Sequence, residues 1–325
     1  MTREMKRILI TGASGQIGTE LTAVLRKKYG NQNVLTSDVK DPAPQVLSSG
    51  PFVPLDVLNP GMIEQVVTGH KIDTIYHLSA ILSAKGELHP QLAWNVNVNG
   101  TYNILEAARH LNLTRIFVPS SIAAFGPETP RHNTPQETIL LPKTMYGVTK
   151  VAGELLCEYY VRHFAIDVRG CRFPGIISHE ALPGGGTTDY AVAIFYEAMK
   201  NRKYTCFLRE DTRLPMMYMP DCLKATVDLM EAEFGRLKHH ACFNLAAVSF
   251  TPRELADEIR KHIPGFTINY QPDFRQSIAD SWPESVDDSA AREEWGWKPD
   301  YDLAKMTADM LRALSRRHAE GKLNY

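Results

Sequence analysis

The feature that most constrains the fold of this chain is a glycine-rich turn that directly follows the apolar run at 8–10. A strand, a tight turn and a helix are the structure that this pattern predicts. Gly12 would permit the sharp turn, Gly15 would let the backbone approach a pyrophosphate, and Gly18 would allow close helix packing. The helix N-terminus would offer unpaired N–H groups to an anion. We therefore expect a dinucleotide to contact the turn residues Gly12, Gly15, Gln16, Ile17 and Gly18.

An acidic residue ends the next apolar run. Asp38 lies 20 residues after Gly18, which is the separation at which a second strand places a carboxylate against ribose hydroxyls. A 2′-phosphate at that position would meet a like charge, so Asp38 favours NAD. The nearby Lys40 keeps NADP open as an alternative.

Strand and helix patterns alternate along the rest of the chain. We predict strands at 52–57, 73–80, 115–119 and 166–173, and helices at 91–110, 145–163 and 190–200. The alternation predicts an α/β fold, with a Rossmann-type doubly wound parallel sheet over residues 1–175. A smaller C-terminal α/β substrate lobe would cover residues 176–325, with segments that return to the first domain.

Cofactor contacts are expected where two of these strands end, because ligands of parallel sheets lie at the carboxyl ends of the strands. The residues at those ends are Asp56, Val57, Leu78 and Ala80. Asp56 would bind the adenine amino group, and a plain strand-ending acid is the equally open alternative.

Charge and cysteine content exclude several classes of protein. The formal net charge of −1 over 325 residues gives no field for nucleic acid, so a small-molecule substrate is expected. No apolar run is long enough to cross a bilayer, and we expect no membrane contact. The five cysteines have no C-x-x-C spacing and His239 and His240 form an ordinary surface pair, so we predict no metal site. We expect a cytoplasmic protein, although a mitochondrial matrix protein that has lost its presequence would look the same.

A phenol and an ammonium occur four residues apart in the helix predicted at 145–163. Tyr146 and Lys150 would share one helical face. We expect Lys150 to lower the pKa of Tyr146 toward working pH, together with an oxidised nicotinamide, and to hold a cofactor ribose. Tyr146 would then act as a general base. Ser121, 25 residues before Tyr146 at a predicted strand end, would hydrogen-bond the substrate oxygen.

These motifs together resemble the extended short-chain dehydrogenase/reductase family, in its NAD-dependent epimerase/dehydratase branch. The resemblance extends to residues 97–101 and to the segment 293–299. It implies a catalytic set of Ser121, Tyr146 and Lys150, and it adds Ile176 to the cofactor contacts. It implies a structural role for Asn97 or Asn99, and a homodimer paired through the helices at 91–110 and 145–163.

Two segments in the second half of the chain indicate which class of substrate to expect. Nucleotide-sugar enzymes of this branch bind a diphosphate through an arginine, and here Arg213 is one position out of step with that pattern. The loop at 184–189 suits a small carboxylate through its backbone N–H groups and the hydroxyls of Thr187 and Thr188, and a nearby acid could receive an ammonium. A flexible connector is the alternative. Together with residues 215–220, this loop resembles the threonine-oxidising members of the family.

That resemblance implies NAD-dependent oxidation of L-threonine at its β-hydroxyl to L-2-amino-3-oxobutanoate. The expected substrate contacts are Ser83, Ser120, Ser121, Tyr146, Thr187 and Trp282. For Trp282 an ordinary hydrophobic anchor is the alternative. Two other functions stay open, a nucleotide-sugar 4-epimerase or dehydratase and a non-catalytic protein that senses a dinucleotide on the same fold.

Overall fold

A computed structural model describes residues 4–180 and 186–321. The strands of these residues are β1 (Ile8–Thr11), β2 (Val34–Asp38), β3 (Phe52–Pro54), β4 (Thr74–His77), β5 (Arg115–Phe117), β6 (Ser120–Ser121), β7 (Val168–Arg169), β8 (Cys171–Phe173), β9 (Gly175–Ile177), β10 (Lys203–Cys206), β11 (Leu214–Tyr218), β12 (Phe243–Asn244), β13 (Val248–Phe250) and β14 (Thr267–Tyr270). The α-helices are α1 (Gln16–Tyr29), α2 (Pro44–Ser49), α3 (Pro60–Gly69), α4 (Ser83–Leu88), α5 (Pro90–Trp94), α6 (Gly100–Leu111), α7 (Met145–Phe164), α8 (Tyr190–Asn201), α9 (Met219–Glu231), α10 (Pro252–His262), α11 (Arg275–Asp280), α12 (Ser289–Trp295) and α13 (Leu303–Ala319). Among the described helices, none is both long enough and apolar enough to cross a membrane.

The central sheet has six parallel strands in the order β3-β2-β1-β4-β5-β7. All four residues of β1 are buried, as expected for an apolar strand that is covered by helices on both faces. The chain runs outward from β1 to β3 and then returns to the other side of β1 as β4. This reversal opens a crevice at the carboxyl ends of β1 and β4. The predicted Rossmann-type doubly wound sheet is confirmed.

Two predicted elements are interrupted in the structure. The strand predicted at 166–173 is divided into β7, which pairs with β5, and β8, which pairs with β6 and β12. Between them the N–H of Gly170 donates to the carbonyl oxygen of His240 at 2.9 Å, so the chain changes its hydrogen-bonding partner there. The helix predicted at 91–110 consists of α5 and α6 with a π-helical turn, Asn95–Asn99, between them. The helices predicted at 145–163 and 190–200 are confirmed as α7 and α8.

Segments of the second half pack against both halves of the chain. β12 extends the sheet formed by β6 and β8. Leu229 and Met230 of α9 share a buried apolar cluster with Ile8 and Ile10 of β1. A separate cluster lies between α8, α10 and α13 in the second half. The division of the chain at residue 175 stays a prediction.

A histidine links three separate segments, contrary to the expectation of an ordinary surface pair. His239 Nδ1 lies 2.5 Å from Glu294 Oε1 of α12, and Nε2 is hydrogen-bonded to Glu137. Burial by itself lowers the pKa of His239, but the hydrogen bonds to Glu137 and Glu294 outweigh it and raise the pKa above its ordinary value. No sequence pattern indicates this contact, because the three residues are far apart along the chain.

The substitution His239→Gln tests this link through the pH dependence of stability. A raised folded-state pKa contributes stability that is fully present below the unfolded pKa and is lost as pH rises through the folded pKa. We expect the variant to lose about 1 kcal/mol of unfolding free energy near pH 5.5, a low value because the ring is partly solvated. The loss should shrink toward pH 9 in urea unfolding experiments. His70→Gln, at an exposed position, is the control, and a loss that grows with pH would contradict the assignment.

Candidate active site

The glycine-rich turn closes tightly against the end of β4. Gly12 has a φ of +71°, and a Cβ atom there would lie 2.6 Å from the backbone carbon of Leu78. A Cβ atom at Gly18 would lie 2.3 Å from the carbonyl oxygen of Gly12. Gly15 precedes α1, and none of the described side chains caps this helix end. The first N–H groups of α1 are therefore available to an anion, and the turn fits the pyrophosphate of a dinucleotide.

Asp38 lies beside this turn at the carboxyl end of β2. Its Oδ2 accepts a hydrogen bond from the Ser14 N–H at 3.0 Å, and its Oδ1 accepts one from the Lys40 N–H at 3.1 Å. The carboxylate thus stands where the sequence predicts a ribose contact, although Asp38 does not line the cavity described next.

Asp56 and Val57 are not brought to the cavity. Asp56 is exposed, and its carboxylate accepts a hydrogen bond from the Leu58 N–H at 2.9 Å, so it closes a turn after the edge strand β3. Val57 is buried against Gly100 of α6. Contacts of Asp56 and Val57 with the cofactor stay predictions, as does the alternative of a plain strand-ending acid.

A cavity of about 240 Å³ opens at the carboxyl ends of β1 and β4. The predicted residues that line it are Gly12, Gly15, Gln16, Ile17, Gly18, Leu78, Ala80, Ser83, Ser120, Ser121, Tyr146, Lys150, Ile176, Thr187 and Trp282. Gly186, Thr188 and Asp189 of the predicted loop at 184–189 also line it, and the lining residues that the sequence analysis missed are Leu82, Pro119, Ile122, Phe173, Pro174 and Gly175. Most of the missed residues are direct neighbours of predicted ones, so proximity in sequence was the available signal. Gly184 and Gly185 of the predicted loop lie outside the described residues.

Tyr146 is fixed by the start of α7. The Thr144 side chain accepts a hydrogen bond from the Gly147 N–H at 3.1 Å, and Glu87 of α4 accepts one from the Met145 N–H at 2.6 Å. These two contacts satisfy N–H groups that a helix start leaves unpaired. They hold Tyr146, the second residue of α7, in a defined orientation toward the cavity.

Lys150 lies one helical turn after Tyr146. Its Nζ donates to the carbonyl oxygen of Pro119 at 2.8 Å and lies 5.4 Å from the centroid of the Tyr146 ring. Burial lowers the pKa of Lys150 to about 8, and the charge of Glu154 opposes that shift. The ammonium therefore packs against the face of the phenol ring.

The pKa of Tyr146 differs from the expectation. Burial raises it to about 12, while a hydrogen bond with Ser121 lowers it. The Lys150 ammonium donates to the carbonyl of Pro119 and faces the ring, and the lowering expected from it does not offset the burial of the phenol. Ser121 and Tyr146 are hydrogen-bonded to each other, so the structure brings together the two residues that are expected to contact the substrate hydroxyl.

The predicted substrate residues lie in different environments. Thr187 is buried, and its hydroxyl has no hydrogen-bond partner among the residues that the structure describes. Ser83 is buried at the start of α4. Trp282 lines the cavity and also packs in the apolar cluster of the second half, so it is at once a wall of the cavity and a hydrophobic anchor. Ser120 donates its hydroxyl proton to Glu154, a residue that the sequence analysis did not single out.

Two further residues have structural contacts. The side chain of Asn97 accepts a hydrogen bond from the Ile81 N–H at 2.7 Å and donates to the Thr149 hydroxyl at 3.0 Å, which agrees with a bracing role. Arg213 donates to Ser249 O at 2.7 Å and to Glu254 at 2.5 Å, and it does not line the cavity. The one arginine considered for a diphosphate is thus held elsewhere.

Comparison with known proteins assigns the family. The model of the NAD dependent epimerase/dehydratase family matches residues 8–255. An uncharacterised epimerase/dehydratase of Staphylococcus haemolyticus is 51% identical over 315 residues, which are 96% of this chain and 99% of that protein. The structure of an L-threonine dehydrogenase from Clostridium difficile matches with a TM-score of 0.95 and 53% identity over 97% of this chain and 99% of that one.

A monomeric L-threonine 3-dehydrogenase from a metagenome database matches with a TM-score of 0.92 and 48% identity, over 95% of this chain and 99% of that one. The predicted enzyme and its NAD cofactor are confirmed by the family match. The chain belongs to the NAD-dependent epimerase/dehydratase family, an assignment that agrees with its sheet, its glycine turn and its tyrosine–lysine pair.

Proposed function

We propose that this protein is an NAD-dependent L-threonine 3-dehydrogenase that oxidises the β-hydroxyl of L-threonine to give L-2-amino-3-oxobutanoate. The observation that carries the proposal is that the Tyr146–Ser121 pair lines one cavity beside the glycine turn with buried Thr187, whose hydroxyl has no partner within residues 4–180 and 186–321. Solved structures described as L-threonine dehydrogenases resemble this chain over nearly its full length, which supports the same substrate. Pairing of Arg213 with Glu254 argues against the alternative of a nucleotide-sugar 4-epimerase or dehydratase.

In this proposal the residues of the cavity divide the work of an alcohol oxidation. Bound NAD⁺ supplies a hydride acceptor and positive charge near the phenol. Ser121 holds the β-hydroxyl oxygen, and Tyr146 takes the hydroxyl proton as general base. Lys150 holds a cofactor ribose while its backbone partner, the carbonyl of Pro119, fixes its side chain. The proposed cofactor contacts are Gly12, Gly15, Gln16, Ile17, Gly18, Asp38, Asp56, Val57, Leu78, Ala80 and Ile176.

A substrate comparison tests this function directly. The purified protein is incubated with NAD⁺ and either L-threonine or UDP-sugars, and NADH absorbance is followed with and without a chelator. We expect NADH formation with L-threonine that persists in chelator, because the proposed chemistry uses a phenol and no metal. No NADH formation with L-threonine, together with epimerisation of a UDP-sugar, would contradict the proposal and support a nucleotide-sugar epimerase instead.

The variant Tyr146→Phe tests whether Tyr146 is the general base. Removal of the phenol oxygen should lower kcat by a factor of about 10²–10⁴, the range for a lost general base, and should leave NAD binding nearly unchanged. Steady-state kinetics and NAD titration measure the two effects. Tyr270→Phe in β14 is the matched control, and unchanged turnover in Tyr146→Phe would remove Tyr146 from the mechanism.

We also propose that the protein pairs as a homodimer through α6 and α7. Leu155 and Tyr159, one turn apart on α7, are 66% and 49% exposed. Trp94 of α5 and Tyr102 of α6 are further exposed aromatic residues. A partner that covers this apolar face would remove it from water. The family resemblance supports this arrangement, whereas one similar enzyme is described as monomeric.

Sedimentation of a double variant tests the dimer. The wild type should sediment at micromolar concentration as twice its chain mass of 36.5 kDa. Leu155→Glu combined with Tyr159→Glu should give a monomer, because two carboxylates would be buried at the interface. Leu47→Glu, at an exposed leucine of α2, is the control. A monomeric wild type would overturn the proposal.

A further inference from the structure

The two adjacent serines of β6, Ser120 and Ser121, differ in whether their hydroxyl groups can donate or accept a hydrogen bond in the cavity. The Oγ of Ser121 accepts a hydrogen bond from the Ala123 N–H at 3.2 Å, and its hydrogen bond with Tyr146 lowers the pKa of that phenol, so Ser121 acts as a donor inside the cavity. The hydroxyl of Ser120 donates to a carboxylate oxygen of Glu154. A hydroxyl has a single proton, so the Ser120 oxygen has only lone pairs left for other partners.

The carboxylate of Glu154 is held so that it can only accept. Arg172 of β8 donates from Nε to Glu154 Oε1 at 2.9 Å and from Nη2 to Oε2 at 2.8 Å. The side chains of Glu154 and Arg172 are each only 5% exposed. Further contacts of Arg172 to Gln136 O and Asn244 Oδ1 fix the guanidinium. Glu154 therefore keeps the Ser120 proton directed away from other acceptors.

Ser120 lines the active-site cavity and, on its other side, a small cavity of about 20 Å³ that Lys150 and Glu154 also line. A group that meets Ser120 in the active site must therefore donate a hydrogen bond to it. L-Threonine carries two donors, the β-hydroxyl and the ammonium, and the proposed reaction commits the hydroxyl proton to Tyr146. The carboxylate of the substrate has no proton to give. The ammonium is the remaining donor.

We propose that Glu154 is a positioning residue that makes Ser120 the acceptor for the substrate ammonium, and that the Ser120–Glu154 pair selects 2-amino-3-hydroxy acids over 3-hydroxy acids without the amine. This inference rests on the proposed L-threonine oxidation. The Glu154 carboxyl group, paired with Arg172, accepts the Ser120 proton and polarises the Ser120 oxygen, which strengthens the hydrogen bond from the substrate ammonium to that oxygen.

The test compares L-threonine with (R)-3-hydroxybutanoate, which has the same hydroxyl configuration and lacks the ammonium. We measure the KM and kcat for L-threonine, and the inhibition constant of (R)-3-hydroxybutanoate, for the wild type, Ser120→Ala, Glu154→Gln and the double variant. Each single variant should raise the KM for L-threonine about tenfold or more, the size of a lost hydrogen bond to a charged group. The inhibition constant should change less than about twofold, and kcat should change little.

The double variant separates a joint role from two independent ones. If Glu154 acts through Ser120, the double variant should raise the KM no more than Ser120→Ala does. Asp167→Asn is the matched control, since Asp167 also pairs with two arginines, Arg115 and Arg169, and does not line the cavity. It should leave both constants unchanged.

Several results would overturn the inference. One is an equal rise of the KM and of the inhibition constant in either single variant, which indicates a structural role alone. Another is a KM for L-threonine in the double variant that rises by the product of the two single-variant factors, which indicates two independent roles. If Glu154→Gln fails to fold, an unchanged KM in Ser120→Ala refutes the inference by itself. Absence of L-threonine oxidation by the wild type would instead refute the proposed function, and the inference with it.

Discussion

The close approach of backbone to backbone at Gly12 is the constraint on which the site depends. No side chain fits between this residue and Leu78, because a Cβ atom would lie 2.6 Å from the Leu78 backbone. The contact brings the ends of β1 and β4 together where the strand order reverses. The start of α1 then faces the same crevice as the residues that follow β4, so one local steric requirement places the cofactor turn beside the rest of the cavity.

α7 supplies the other half of the site from a single helix face. Tyr146, Lys150 and Glu154 are four residues apart, so they lie above one another along one side of the helix. The cap by Thr144 and the contact from Glu87 fix where the helix begins, and hence the height of all three groups relative to β6. A shift of the helix start by one residue would rotate the whole set by about 100°.

The features that the sequence predicts correctly depend on residues that are neighbours in the chain. The features that it does not predict mostly depend on contacts between distant segments. The glycine turn, the central sheet and α7 follow from spacing and periodicity, which a single segment contains. The division between β7 and β8 was missed because it depends on the carbonyl of His240, about 70 residues further along the chain. The π-helical turn at Asn95–Asn99 was missed because periodicity does not register one added residue. Glu154 was missed because its partners, Ser120 and Arg172, come from separate strands.

Burial shifts the two central groups in opposite directions. The pKa of Tyr146 rises to about 12 and that of Lys150 falls to about 8, since in both cases burial disfavours the charged form. The polypeptide by itself thus favours a neutral phenol, and Glu154 keeps the lysine more basic than burial alone would allow. In the proposed reaction, the positive charge of the oxidised cofactor would add to that of Lys150 in stabilising the phenolate. Proton removal and hydride transfer would then be favoured by the same bound molecule.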